Sequence, residues 1–163
     1  MSIATPLNWL HEFDLALPLF GHRNWIVVAD SAYPEQSAPG IRTVFAAGDA
    51  IEVIDTVHSR LKSAHHVRPL VTIDAELEYL DETDAPGSGV FRDRLFALLG
   101  PNKPAVRRHE ETIGKLHSTG QGFQVLVVKT AATIPYSTVF FELGCGYWNQ
   151  EAEARLRSHM AAP

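Results

Sequence analysis

The side chains in this sequence best suited to moving a proton or gripping hydroxyl groups sit at the ends of apolar runs. His22 follows Gly21 in a turn before Trp25-Ile26-Val27-Val28-Ala29, and Asp30 stands where that run stops. An imidazole titrates near neutrality, so it can both give and take a proton. The alternative for His22 is a histidine that caps carbonyls at a helix end. A carboxylate at a strand end lies where open α/β sheets bind ligands, and it can accept two hydrogen bonds, as a pair of vicinal hydroxyls requires. The alternative for Asp30 is an ordinary turn aspartate before Ser31. Tyr136 follows Pro135 and precedes Ser137 and Thr138. A phenol beside two hydroxyls can orient a polyol or relay a proton, while the plainer reading is a tyrosine on a sheet edge. His109 and His117 share one face if their segment is helical, and Glu110 and Glu111 adjoin His109. His65-His66 reads as a solvated helix end.

Other chemistries are not written in the sequence. Cys145 stands alone and no His-x-x-x-His occurs, so no zinc-type cluster and no metal site is expected. There is no glycine-rich phosphate loop and no Gly-x-Ser-x-Gly elbow. Cys145 lies between Gly144 and Gly146 and reads as a small buried hydrophobe.

The elements that must position these groups follow from periodicity. Leu7, Leu10, Phe13 and Leu17 have helical spacing, disturbed at Pro18. Trp25 to Ala29 is a continuous apolar run, as in a strand buried on both faces. Residues 31–40, with two prolines and a glycine, form a loop. Ile41 to Ala46 is a second strand. Asp49 then caps a helix running to about Ser63, with Glu52 three residues on. Residues 67–80 alternate, with Val71, Ile73, Ala75, Leu77 and Tyr79 on one face and Thr72, Asp74, Glu76 and Glu78 on the other, which predicts one long strand with a wet face. Residues 81–89 read as a mobile loop. Val90 to Leu99 is helical, closed by Gly100 and Pro101. Val106 to about His117 is weakly helical and interrupted at Gly114. Phe123 to Val128 and Thr138 to Leu143 are strands, and residues 149–163 are a polar tail with a short helix that frays. Strands and helices intermixed along one chain predict a single α/β domain over 1–163, a mixed sheet covered by helices.

That order creates a distance problem. A straight strand from Trp25 to Ala29 covers roughly 17 Å, too far for His22 and Asp30 of one chain to share a small ligand. Either the chain bends near Arg23-Asn24, or the pocket is shared between subunits.

Composition sets the remaining bounds. With 163 residues, 45% of them hydrophobic, the chain can bury about 70% of its unfolded surface. A net charge of −5 with no block of like charges predicts no nucleic-acid or membrane partner. A single cysteine, no signal-like N-terminus and no spanning apolar run point to a soluble cytoplasmic protein.

Gly21-His22 followed by Ile26-Val27-Val28-Ala29-Asp30-Ser31-Ala32-Tyr33-Pro34 resembles the signature of the D-ribose pyranase and L-fucose mutarotase (RbsD/FucU) family, where a Gly-His turn, an apolar strand and Ala-Asp-Ala-x-x-Pro recur together. Residues 127–138, Val-Val-Lys-Thr-Ala-Ala-Thr-Ile-Pro-Tyr-Ser-Thr, are similar to its second segment, typically Val-Ile-Arg-Thr-Gly-Glu-x-x-Pro-Tyr-Ala-Asn. The resemblance implies a compact RbsD-like subunit in a ring-based homo-oligomer, often a decamer, with pockets at subunit interfaces. It also implies a cofactor-free interconversion of monosaccharide anomers or ring forms. By position, it makes His22 the general acid, with Tyr136 the family's catalytic tyrosine. Asp30, His109, Ser137 and Thr138 then fall on the substrate-binding side, with His117 a rival to His109. Ala131 and Ala132 stand in place of the family's Gly-Glu, and Thr138 in place of its asparagine. These departures leave open a member of the same fold that binds a monosaccharide without turning it over, or an oligomer with no ligand.

Overall fold

A computed structural model describes residues 8–162; Leu7 lies outside the described residues. The chain runs α1 (Asn8–Ala16), β1 (Trp25–Ala29), β2 (Ile41–Ala46), α2 (Ala50–Ser63), β3 (Val67–Asp74), α3 (Ser88–Leu99), β4 (Ala105–Arg107), α4 (His109–Thr119), β5 (Val125–Thr130), β6 (Val139–Cys145) and α5 (Gln150–Ala161). The strands form one sheet in the order β2-β5-β1-β6-β3-β4. β1 pairs in parallel with β5, β5 with β2 and β3 with β4, while β6 runs antiparallel to both β1 and β3. Five strands therefore point one way, and their C-terminal ends line one edge of the sheet.

Helices cover the two faces unequally. Phe13 of α1, Ile54, Val57 and Leu61 of α2, and Phe91 and Leu95 of α3 pack on Ile26, Val28, Leu126, Val128, Phe141 and Leu143. On the opposite face Trp25, Val27, Ala29, Val125, Val127 and Phe140 meet Leu116 and Ile113 of α4 and Tyr33 from the loop after β1. All five residues of β1 are buried, as expected of a central strand covered on both faces. Asp49 caps α2 by accepting the Glu52 N–H at 3.2 Å and also holds Arg94 of α3 at 3.0 Å.

Several elements differ from the sequence expectation, each for a local reason. The predicted strand over 67–80 stops at Asp74, and Ala75–Tyr79 is a 3₁₀ turn. Of its alternating apolar residues only Leu77 is buried, and Tyr79 is 84% exposed. The turn is held by Arg92, whose guanidinium donates to the carbonyls of Leu77, Glu78 and Leu80. α3 starts at Ser88, two residues early, because the Glu82 carboxylate takes the N–H groups of Gly87 and Gly89 at 2.8 and 2.7 Å. α4 passes through Gly114 without a break and is preceded by β4, which the sequence reading missed; all three β4 residues are exposed, so no apolar pattern marks them. His66 is not a solvated helix end. Its Nε2 lies 3.0 Å from the carbonyl oxygens of both Leu17 and Phe20 and ties the start of β3 to the turn that closes α1. Cys145 is only partly buried. No helix among the described residues is long and apolar enough to cross a membrane.

Candidate functional site

The C-terminal edge of the sheet gathers the ionisable groups. Asp30 directly follows β1, Asp74 ends β3, and His109 opens α4 two residues beyond Arg107, the β4 residue paired in register with Asp74. Tyr136 comes from the connection between β5 and β6. That connection is stitched to the end of β1: Thr130 Oγ1 donates to the Ala29 carbonyl at 2.9 Å, and the Ser31 N–H donates to the Ala132 carbonyl at 2.8 Å. Pro135 precedes Tyr136, whose backbone sits at φ 55°. A non-glycine residue in the left-handed region costs about 1–2 kcal/mol and persists only where its surroundings fix it. Here the conformation sets the Tyr136 ring edge-on to His109, with centroids 5.5 Å apart and planes at 81°.

His109 is the hub. Its Nδ1 lies 2.8 Å from Asp74 Oδ2, and the Asp74 side chain is wholly buried while the imidazole is 25% exposed. The His109 backbone N–H donates to both carboxylate oxygens of Glu76 at 3.1 Å, which caps α4. Burial drives the Asp74 carboxyl up to about 6, with Glu76 and Asp30 pushing the same way and the charge and hydrogen bond of His109 opposing them. Its second oxygen, Oδ1, is buried without a hydrogen-bond partner. Partial burial also raises Asp30, against the Tyr33 N–H and the charges of His109 and Lys129. Tyr33 is pushed up to about 12 by burial, so it stays a neutral phenol, and it accepts from Gln36 Nε2 at 2.9 Å.

The Asp74 shift has a consequence for stability. A carboxyl whose folded-state value lies above its unfolded 3.8 favours folding while protonated, and that contribution is lost as pH rises through about 6. Such a rise corresponds to roughly 3 kcal/mol at neutral pH and above. Asp74→Asn removes the charge at nearly unchanged side-chain shape. The variant is expected to melt several degrees above the wild type at pH 8, at about 2–4 °C per kcal/mol for a chain of this size. The gain should vanish towards pH 4. Thermal unfolding followed by circular dichroism at the two pH values checks this, and a lower midpoint at pH 8 would contradict it.

The residues singled out in the sequence divide into groups. Asp30, His109 and Tyr136 meet at this edge, with Asp74 and Tyr33, neither of which the sequence reading put forward. A signal for Asp74 was available: Val71-Thr72-Ile73-Asp74 repeats the pattern of an apolar strand that ends in aspartate, as in Val27-Val28-Ala29-Asp30. Ser137 and Thr138 are buried, and the Ser137 hydroxyl is spent on the Ile134 carbonyl at 2.6 Å. His117 lies in the last turn of α4 and is exposed. His22 occupies the tip of a tight turn in which the Asn24 N–H donates to the Gly21 carbonyl and Arg23 sits at φ 76°. It is exposed, and β1 leads straight from this turn through five paired residues to Asp30. The chain turns at Gly21–Asn24, before β1 begins, and β1 itself is paired throughout, so His22 and Asp30 of one chain lie at opposite ends of β1. In a single chain Tyr136 is 38% exposed and Asp30 is partly exposed. A separate cavity of about 500 Å³ lies beside the 131–134 segment, between the N-termini of α2 and α3.

The sequence matches no protein-family model and no curated protein. Solved structures resemble the fold. Bacillus subtilis RbsD complexed with D-ribose superposes with a TM-score of 0.57 at 14% identity, covering 82% of this chain and 91% of that one. The fucose mutarotase from Streptococcus pneumoniae, in complex with L-fucose, gives 0.55 at 17% identity, covering 88% and 96%. FucU from Bifidobacterium longum gives 0.53 at 14%, covering 82% and 92%.

Proposed function

We propose that this chain, which has the RbsD/FucU fold, is a cofactor-independent monosaccharide isomerase that interconverts anomers or ring forms. The supporting observation is the assembly of Asp30, His109 and Tyr136 at one sheet edge, in a fold of which one solved example holds ribose and another fucose. Mutarotation removes the proton of the anomeric hydroxyl, breaks the bond between C1 and the ring oxygen, and delivers a proton to that oxygen. Placed acid and base groups supply about 10²–10⁴-fold. In this reading Asp30 accepts hydrogen bonds from sugar hydroxyls, His109 and Tyr136 face the reacting end, and His22 of a neighbouring copy is the general acid. A homo-oligomer follows, because the straight β1 keeps His22 away from Asp30 of its own chain. Carriage of His22 to the open edge of an adjacent subunit removes that separation.

Saturation-transfer NMR on equilibrating ribose and fucose tests the reading. Exchange between anomers or ring forms should accelerate in proportion to protein concentration. Absence of acceleration with any common aldose would overturn catalysis on these sugars.

A second reading, a monosaccharide-binding protein without turnover, has its own support. The Ser137 hydroxyl is committed within its loop, and Ala131 and Ala132 offer no polar side chain. Saturable sugar binding in calorimetry without accelerated exchange would favour it.

A further inference from the structure

We infer that Asp74 is a positioning residue that fixes the tautomer of His109 and leaves Nε2 as the proton-accepting atom of the site; its role in turnover rests on the isomerase reading above. The two residues are 35 apart in sequence and meet only because β3 and β4 pair, Asp74 opposite Arg107, which sets the start of α4 beside the end of β3.

The geometry determines which nitrogen does what. An ionised carboxylate only accepts hydrogen bonds. At 2.8 Å from Asp74 Oδ2, a distance typical of charge-assisted pairs, Nδ1 must carry the hydrogen. Nε2 then holds the lone pair, and no described residue hydrogen-bonds to it. Aromatic neighbours pack against the His109 imidazole. Its backbone N–H is tied to Glu76, Tyr136 packs edge-on at 5.5 Å, and Phe140 lies at 6.4 Å.

Both carboxylates and cations surround the pair. Glu76 faces it from the 3₁₀ turn, Asp30 from the end of β1, Tyr33 from the following loop and Arg107 from β4; Lys129 bears on Asp30. The unpartnered Asp74 Oδ1 leaves that carboxylate short of donors, so the His109 N–H is its only hydrogen-bond donor among the described residues. In the step itself, the proton of the anomeric hydroxyl passes to Nε2 and a carbonyl forms at C1. The bond from C1 to the ring oxygen breaks, and that oxygen takes a proton from the general acid. The reverse closes the ring on either face and returns the His109 proton.

The test combines ¹⁵N NMR of the His109 ring with kinetics of Asp74→Asn. In the wild type Nδ1 should be the protonated nitrogen at neutral pH. In Asp74→Asn the amide NH₂ can donate to Nδ1, so the Nε2–H tautomer should gain population. The kcat for anomer exchange should fall at least about tenfold with KM within about threefold, because the substituted residue does not touch substrate. A wild-type Nε2–H tautomer overturns the assignment, as does a variant with unchanged tautomer or unchanged kcat. If the wild type turns over no sugar, the isomerase reading fails by itself, and the positioning of His109 by Asp74 stands or falls on the tautomer spectra.

Discussion

His109→Gln is expected to lower catalysed anomer exchange by about 10²–10⁴-fold, the range a placed acid–base group supplies, while His117→Gln leaves it near the wild-type rate. Both residues belong to α4, and both were candidates on sequence grounds. The structure separates them. His109 opens the helix, with its ring against Asp74 and Tyr136, whereas His117 is exposed in the last turn, away from the sheet edge that carries Asp30. Glutamine is close to histidine in length and keeps an N–H that can reach Asp74, so the buried carboxylate is not left bare. It cannot accept a proton at neutral pH. The loss should therefore appear in turnover, and unfolding should shift little. NMR exchange rates of the two variants, at matched folded protein, give the ratio. Equal rates for His109→Gln and wild type would remove the imidazole from the chemistry and leave the site as a binding surface.

The contrast between those histidines shows where the sequence was legible. β1 could be read because both of its faces are covered, so all five residues are apolar, and Asp30 could be read because it interrupts that run. The cap at Asp49 follows a local rule and the structure has it. Local pattern failed at β3. Alternation continues past Asp74 by coincidence of composition, while the chain turns so that Glu76 caps α4 and Arg92 gathers the turn's carbonyls. That misreading hid Asp74, which looked like one more residue on a wet face. β4 was hidden for the opposite reason, since a three-residue exposed edge strand carries no periodic signal. The Asp74–His109 contact depends on both elements, so it could not be read before the β3–β4 pairing was known. Tyr136 was visible from its place after Pro135, but its left-handed backbone, which aims the ring, comes from a loop fixed by contacts to the end of β1.

The proposed assembly carries the other large effect. His22→Ala and Asp30→Asn should each lose about 100-fold or more in exchange when assembled alone, and activity should return when the two are co-assembled. The argument is geometric. β1 is paired along its whole length by β5 and β6 and covers roughly 17 Å, so the two residues of one chain cannot both touch one monosaccharide. A site built from Asp30 of one copy and His22 of the next needs only one intact residue from each. In a random equal mixture about a quarter of the sites would join an intact His22 to an intact Asp30 in a symmetric ring, and exchange should recover to about that fraction of the wild type. Both positions are at the ends of β1 rather than in its buried row, so folding should survive either change. Size-exclusion chromatography with light scattering on each variant and on the mixture verifies that assembly is retained. If the mixture is as inactive as its parents while the assembly is intact, the two residues do not complement each other across one interface, and the shared-site geometry is overturned.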